Sequence, residues 1–376
     1  MRRVRERSEK YTKDVFSPAA LSDAYKDLRK KTGWKRSVQI YGESLVENSV
    51  KASETVLSGS WKSKGFREFD IMERGKKRHI ITTNVEEKCI QKTFCDNCLV
   101  PILKSYLIYD NSATIKGKGT DFALNRLTDA LRHHYRRYGR EGWIFFFDFK
   151  NFFGNIDNSI LNENVQKKLY GSLYRNMYHD ITFSMGERGL GLGSQVSQIS
   201  AVFFPNAVDH AMKDHLGVHG YGRYCDDGYA ISRDKETIMR AVNALETECK
   251  KLNITLNRKN CQIIRLTRPF RFLKVRFRML ESGEILRKIN RDGVKREHRR
   301  LRKYRKMLLN GEMTIEEVRL SFHSWLCSQK RGKGYMLVKD AIEWYNKLFS
   351  GIDIYYPPKP NKHKRIARLA RYVRTA

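Results

Sequence analysis

The stretch YGRYCDDGYAIS, residues 221–232, constrains the fold more than any other. It sets two adjacent carboxylates, Asp226 and Asp227, in a run whose remaining residues suit a half-buried strand. Side chains alternate faces along a strand, so two neighbours can serve one site only where the chain turns. The stretch therefore predicts a β-hairpin with Cys225, Asp226, Asp227 and Gly228 at its tip. A second run, GWIFFFDFKNFFGNID, predicts a buried strand of five apolar residues from Trp143 that ends on Asp148. All three carboxylates break with their surroundings, and buried or crowded carboxylates cost several kcal/mol unless paired or bound to a cation. Two strands of one sheet would bring them together around divalent cations. Oxygen ligands on a rigid sheet suit Mg²⁺. A pair of such ions about 3.5–4 Å apart can activate a hydroxyl and stabilise a leaving pyrophosphate. Taken singly, an Asp at a strand end reads as a turn or cap residue. The order of apolar strand ending in Asp, glycine-rich loop with helix, then Asp-Asp hairpin is what points to chemistry.

The charge balance narrows the partners. Among 376 residues, 74 Lys and Arg face 41 Asp and Glu, a formal net charge of +33. Such an excess repels itself in a compact chain, and a polyanion would offset it. Nucleic acid leads, because neutralising phosphates releases counterions; an anionic membrane surface is the rival. No apolar run approaches the roughly 20 residues needed to span a bilayer. The start MRRVRERSEK lacks the apolar stretch of a signal peptide. Seven scattered cysteines fit a reducing compartment, and the expected location is cytoplasmic with no membrane partner. The CxxC pair at Cys95 and Cys98 has no second pair and lies in a helix-like run, which reads as packing rather than a zinc site. His133 and His134 read as surface or RNA-facing residues.

The chain punctuates as follows. Residues 18–58 predict helices, with Ser17-Pro18 and Ser22 as start signals. FREFDI and RHIITT alternate like strands about Gly75 and predict a basic hairpin. Residues 84–107 carry helical periodicity interrupted at Pro101. A Gly/Lys loop, NSATIKGKGT, then leads into a helix. Residues 158–180 read as one helix, and a glycine-rich loop at 186–194 feeds another long one. A helix over 235–252 precedes LNRKNCQII and RPFRFLKVRF. Residues 287–306 are about half Lys and Arg at helical spacing, and Thr314 to Glu317 form a capping box for a further helix.

This order resembles the palm of reverse transcriptases, over about residues 60–345. FFFDFKNFF looks like their first palm motif and YCDD like their YxDD motif. The resemblance implies catalytic roles for Asp148, Asp226 and Asp227, with the Phe149 backbone joining them around two Mg²⁺ ions, Mn²⁺ being the alternative. LNRKNCQI and KKRHI resemble the segments in which Lys259 and Arg78 would face the incoming triphosphate, and SATIKGKGT the fingers segment that would offer Lys116. Phe153 stands where the family places its steric gate against a ribose 2′-hydroxyl; the alternative is one more core aromatic. FRFLKVRF resembles the primer grip, with Lys274 where glycine is common. The loop reads LGSQVSQ where many members carry QGxxxSP: Leu192 replaces Gln and Gln198 replaces Pro, while Gly193 and Ser197 remain. Gly193 would let backbone approach the nascent base pair. The LGxxxSQ form resembles enzymes of diversity-generating retroelements and of bacterial defence systems.

The implied fold is an α/β right-hand polymerase with an antiparallel palm sheet and a helical thumb. The expected divisions are an N-terminal helical extension (1–58), fingers (59–140), palm (141–284, with 158–185 shared with the fingers), thumb (285–350) and a basic tail (351–376). In the thumb, Arg296, Arg299, Arg300 and Lys303 would track phosphates of the template–primer duplex, and the basic termini (Arg2, Arg3, Arg5, Arg7; 362–374) would grip RNA or form a basic tail with no fixed partner. The implied activity is RNA-templated extension of a 3′-hydroxyl with dNTPs. The implied partners are a structured non-coding RNA as template and scaffold and the cDNA product, in a bacterial or phage-encoded anti-phage system. The runner-up, a diversity-generating retroelement enzyme, would need an accessory protein. A third reading, from another class, is a non-catalytic RNA-binding scaffold.

Overall fold

The computed structural model describes residues 12–356 apart from Arg74. The basic termini and most of the expected tail lie outside the described residues. By its internal contacts the chain divides into two compact units, residues 1–268 with 279–284, and residues 269–278 with 285–376.

The first unit opens on three helices, α1 (Pro18–Thr32), α2 (Arg36–Glu43) and α3 (Leu45–Leu57). Ser17 caps α1 by accepting from the Ala20 N–H at 3.3 Å, and Pro18 takes the first helical turn, where its missing N–H costs nothing. Ser22 starts no helix. It lies inside α1, and its hydroxyl is 3.1 Å from that of Ser49 on α3. The basic hairpin follows as β1 (Arg67–Glu73) and β2 (Lys76–Thr82), paired antiparallel in full register. Helix α4 (Val85–Phe94) passes through a π turn at Cys95–Leu99 into α5 (Val100–Lys104), so Pro101 is accommodated in a first turn beyond the π bulge. Cys95 and Cys98 are buried in the core, as the packing reading expects.

After α6 (Thr120–Tyr138), strand β3 (Trp143–Asp148) enters the middle of a four-stranded antiparallel sheet. Its partners are β4 (Gly220–Tyr224), β5 (Asp227–Ser232) and β6 (Gln262–Arg265), in the order β4-β5-β3-β6. Ile144 to Phe147 are buried because helices cover the sheet. Two predicted helices are broken. The first becomes α8 (Asn158–Gln166) and α9 (Ser172–Phe183), separated by a turn at 167–171; the four-residue α7 (Phe152–Asn155) precedes them. The second becomes α10 (Gln195–Phe203), then α11 (Asn206–His210) with a π turn at Ala211–His215, because Pro205 cannot continue the hydrogen-bond ladder. Helix α12 (Lys235–Lys251) matches expectation.

His134 is no surface residue. It is buried, and its Nε2–H donates to the Glu141 carbonyl at 2.6 Å, closing the turn into β3. Burial pushes its pKa down, so it is held neutral.

The second unit has a three-stranded sheet, β7 (Phe270–Phe272), β8 (Val275–Met279) and β9 (Ile285–Lys288), and three helices, α13 (Arg291–Leu309), α14 (Ile315–Gln329) and α15 (Tyr335–Leu348). Leu273 and Lys274 form the two-residue turn of β7–β8 with φ of 45° and 68°. That left-handed geometry is why glycine suits the Lys274 position. Residues 287 and 288 belong to β9, so the basic helix begins later than its composition indicates. The capping box is present: the Glu317 N–H donates to Thr314 Oγ1 at 3.3 Å, and Glu317 Oε2 accepts from the Thr314 N–H at 2.9 Å. Phe322, fully buried, stacks on Tyr345 with ring centroids 4.6 Å apart. Among the described residues, no helix is long and apolar enough to cross a membrane.

Candidate active site

The three carboxylates meet at one end of the four-stranded sheet. Asp148 and Asp227 are direct partners in the β3–β5 register, and Tyr224 pairs with Asp227 across the β4–β5 hairpin. Only Cys225 and Asp226 remain for the turn, a tighter tip than the predicted four residues. Cys225 accepts a positive φ of 58° to make it. Gly228 is a steric necessity: a Cβ there would lie 2.0 Å from the ring of Phe147 on the adjacent strand. The Phe149 N–H donates to the Asp226 carbonyl at 3.2 Å, tying the tip to the chain leaving β3.

The hairpin is anchored from below by a buried ion pair. The Arg223 side chain is wholly excluded from solvent, as is that of Asp209 on α11. Arg223 forks onto Asp209 through Nε (2.7 Å) and Nη2 (2.6 Å). It also donates from Nη1 to the Cys225 carbonyl at 2.8 Å and from Nη2 to the Val202 carbonyl at 2.8 Å. Tyr221 adds an O–H to Asp209 at 2.7 Å. Burial opposes the Arg223 charge and Asp209 more than restores it, so the guanidinium stays protonated. The outer edge of β4 is covered by the segment at residues 110–112, which exchanges backbone hydrogen bonds with Arg223 on both sides.

Asp148 is held by two side chains that the sequence reading did not single out. Its Oδ2 accepts from Asn257 Nδ2 at 2.8 Å and from Asn260 Nδ2 at 2.6 Å, while the Asn257 N–H donates to its carbonyl at 2.8 Å. The signal was available in LNRKN, whose two asparagines bracket the lysine that drew attention. Lys259 itself is exposed.

Electrostatics marks the site as short of a cation. Burial, followed by the Asp148 charge, pushes the Asp226 carboxyl above the usual range, against the pull of Arg223 and Arg78. Arg78, exposed on β2, thus acts on Asp226 at a distance. The described residues contain no ready-made cluster of three metal-ligating side chains. The donor set still fits Mg²⁺, which commonly takes one or two carboxylates and completes its shell with water and substrate phosphates. Asp148 through its uncommitted Oδ1, together with Asp226 and Asp227, would hold such ions.

Phe153, on α7, is half-buried against the core, edge-on to the buried Phe152 at 6.0 Å. Gly193 has φ of 117°, and a Cβ there would meet the Ile81 carbonyl at 2.6 Å. Its close backbone approach in this structure is to β2, where the Ile81 N–H donates to the Leu192 carbonyl at 2.9 Å. Lys116 is exposed, and its charge is felt by Asp27 on α1. The neighbouring Lys118 is spent on the Asn111 carbonyl (3.1 Å) and the Tyr109 and Phe122 rings.

On α13, Arg296, Arg299 and Lys303 are exposed and share one face at i, i+3, i+7. Arg300 is different. It bends to Glu297 Oε1 at 2.7 Å, satisfying a carboxylate that is only 3% exposed. The helix also buries a stripe of Val294, Glu297 and Leu301, so it is less uniformly basic on its surface than its composition implies.

Two outcomes follow from this geometry. Arg223→Met leaves Asp209 buried without its partner, so unfolding stability falls by about 3–5 kcal/mol; urea titration of the purified variant measures it, and a loss below about 1 kcal/mol would contradict the anchoring role. Asp226→Asn removes a carboxylate whose charged form the fold disfavours. Because the folded-state pKa lies above the unfolded one, the metal-free wild type loses stability as pH rises through the carboxylate range. The variant is therefore more stable than wild type at pH 7 without metal, on the order of 1 kcal/mol, and the two converge at acid pH. Thermal melts at pH 4 and 7 in EDTA compare them.

Residues 62–277 match the family described as reverse transcriptase (RNA-dependent DNA polymerase). Among solved structures, the chain is similar to telomerase from Candida albicans in complex with a TWJ fragment of telomeric RNA, at 13% identity and a TM-score of 0.48, over 84% of this chain and 58% of that one. It is also similar to apo telomerase from Candida tropicalis truncated from its C-terminal domain, at 11% identity and a TM-score of 0.46, over 64% of this chain and 60% of that one. The chain thus spans about three fifths of the length of either. No curated protein matches it.

Proposed function

We propose a specific role for this chain from the premise that it belongs to the reverse transcriptase family and is an RNA-directed DNA polymerase: it copies a dedicated, structured non-coding RNA into cDNA, in bacterial anti-phage defence. The observation that carries the polymerase site is the pairing of Asp148 with Asp227 beside a turn that presents Asp226. The family works with divalent metal ions, and Mg²⁺ is the ion proposed here. Bound there, Mg²⁺ would lower the pKa of the primer 3′-hydroxyl and neutralise the leaving pyrophosphate.

The residues of the chain do the remaining work by positioning. Asn257 and Asn260 hold one oxygen of Asp148, and the other is proposed to meet the metal. Arg223 fixes the Cys225 carbonyl and with it the direction of the turn. Arg78, Lys259 and Lys116 are proposed to meet the triphosphate, with Gly193 lining the same pocket. Phe153 is proposed as the gate against the 2′-hydroxyl; its half-exposed ring, unlike that of Phe152, leaves an edge for a nucleotide. In the second unit, Lys274 and the exposed face of Arg296, Arg299 and Lys303 are proposed to meet nucleic-acid phosphates, with Arg300 reassigned to Glu297.

The dedicated-RNA reading is supported by the net charge of +33 and by basic surfaces that exceed what a template cleft needs. In the defence setting the same RNA segment is copied repeatedly into concatemeric cDNA. The diversity-generating retroelement reading is favoured by one observation, the Leu192-to-Gln198 form of the glycine loop.

Protein purified from its native operon, with bound RNA and associated DNA sequenced, separates these. One abundant neighbouring non-coding RNA with cDNA repeats of it is expected. cDNA of a protein-coding repeat carrying adenine-specific errors would establish the retroelement role instead. Replacing Asp226 and Asp227 with Ala should abolish cDNA while RNA binding persists; an unchanged biological effect would leave only the scaffold reading. Phe153→Ala should narrow the preference for dNTP over rNTP by at least about tenfold in single-nucleotide incorporation, and equal discrimination in variant and wild type would remove the gate.

A further inference from the structure

At the end of the palm sheet remote from the carboxylates lies a cleft of about 690 Å³ that the polymerase chemistry does not use. The C-terminal turns of α6, the residues leading into β4 and the end of β5 line it. Strand β5 runs from Asp227 at the carboxylate end to Ser232 at the cleft, which separates the two by roughly 17 Å at about 3.3 Å per residue.

The cleft draws polar and basic side chains from three separate segments. Arg132, His133, Arg136 and Arg137 come from α6, His219 from the approach to β4, and Arg233 from beyond β5; all are exposed. Arg136 and Arg137 have no acidic partner among the described residues. Arg132 reaches Asp129 only at 3.6 Å, and Arg233 reaches Glu141 only at 3.6 Å, both solvent-exposed pairs of little worth. Tyr138 is 41% exposed on the same wall, with the Arg233 guanidinium 5.7 Å from its ring centre. Cations in the last turn of a helix do complement its dipole. That accounts for Arg136 and Arg137 singly, but not for Arg132 standing one turn below Arg136, where like charges repel. Nor does it account for the convergence of Arg233 from another segment. The four exposed arginines outnumber Asp129 and Asp234, which also line the cleft, and with an exposed aromatic beside them they offer what a phosphodiester backbone requires.

We propose that this cleft is a second nucleic-acid site, which holds the backbone of structured RNA away from the template–primer path. The assignment to RNA rests on the reading of the chain as a polymerase with a dedicated RNA. The site would let the protein keep one part of the RNA docked while another part passes the active site.

The test uses the full chain and a fluorescein-labelled 20-base-pair RNA hairpin, with a DNA hairpin of the same sequence, read by fluorescence anisotropy across a KCl series. A cleft triple, Arg132→Gln, Arg136→Gln and Arg137→Gln, is compared with a control triple of equal charge loss on exposed positions of α12 and its end, Arg240→Gln, Lys250→Gln and Lys251→Gln. The cleft triple is expected to weaken RNA binding about tenfold or more near 150 mM salt and to make the log–log salt slope shallower by about two to three; the control should lose less than about threefold. Both should extend oligo(dT) on poly(rA) at the wild-type rate under saturating substrate. Equal losses in the two triples, or none in the cleft triple, would overturn the site. Loss confined to the DNA hairpin would overturn the assignment to RNA. Wild-type protein that binds through the cleft yet extends no primer would strike at the polymerase reading and leave the cleft standing.

Discussion

A single guanidinium organises the candidate catalytic end of this protein. Arg223 is wholly buried, and the only way to keep its charge there is to surround it with acceptors. Asp209 supplies two, and the carbonyls of Val202 and Cys225 supply the others. The last of these matters most, because it fixes the two-residue turn on which Asp226 sits. The pair therefore does more than offset its own desolvation. It ties α11, the end of α10 and the β4–β5 hairpin into one rigid support, so that the carboxylates above it can repel one another without the turn opening.

That rigidity has an electrostatic cost, visible at Asp226, whose carboxyl is pushed up by burial and by Asp148. A site built to hold metal ions needs such a cost. Carboxylates that satisfied one another with hydrogen bonds would have nothing left for a metal and a triphosphate. Here one oxygen of Asp148 is committed to Asn257 and Asn260. The second unit shows the same economy on its basic helix: Arg300 is withdrawn to neutralise buried Glu297, leaving Arg296, Arg299 and Lys303 as the face that meets solvent.

The basic surplus is distributed rather than concentrated. It appears on β2, on the exposed face of α13 and around the C-terminal turns of α6. A chain that only gripped a short template–primer duplex would gain little from cations at the far end of its sheet, roughly 17 Å along β5 from Asp227. A chain that must hold one folded RNA through repeated copying would gain from several such contacts, since each added phosphate contact deepens binding without demanding a particular sequence.

The sequence by itself determined what local chemistry can dictate. The alternation and apolar run around Asp148, the Asp-Asp turn, the hairpin about Gly75, the Ser17 cap and the Thr314 capping box were all legible, because each depends on residues within a few positions of one another. Tertiary structure decided the rest. The helix break at 167–171 depended on what the flanking segments pack against, whereas the one at Pro205 was written in the sequence. His134 turned inward because the Glu141 carbonyl needed a donor. Arg300 was claimed by Glu297 three residues away once that carboxylate was buried, and Arg223 by Asp209 across fourteen residues. Asn257 and Asn260 acquired their role only when the chain after α12 folded back along Asp148, 109 and 112 residues distant in sequence. A side chain's type sets what it can bond. Which partner it receives depends on which distant segment is brought within hydrogen-bond range and on whether water is excluded there, and only the folded chain specifies either.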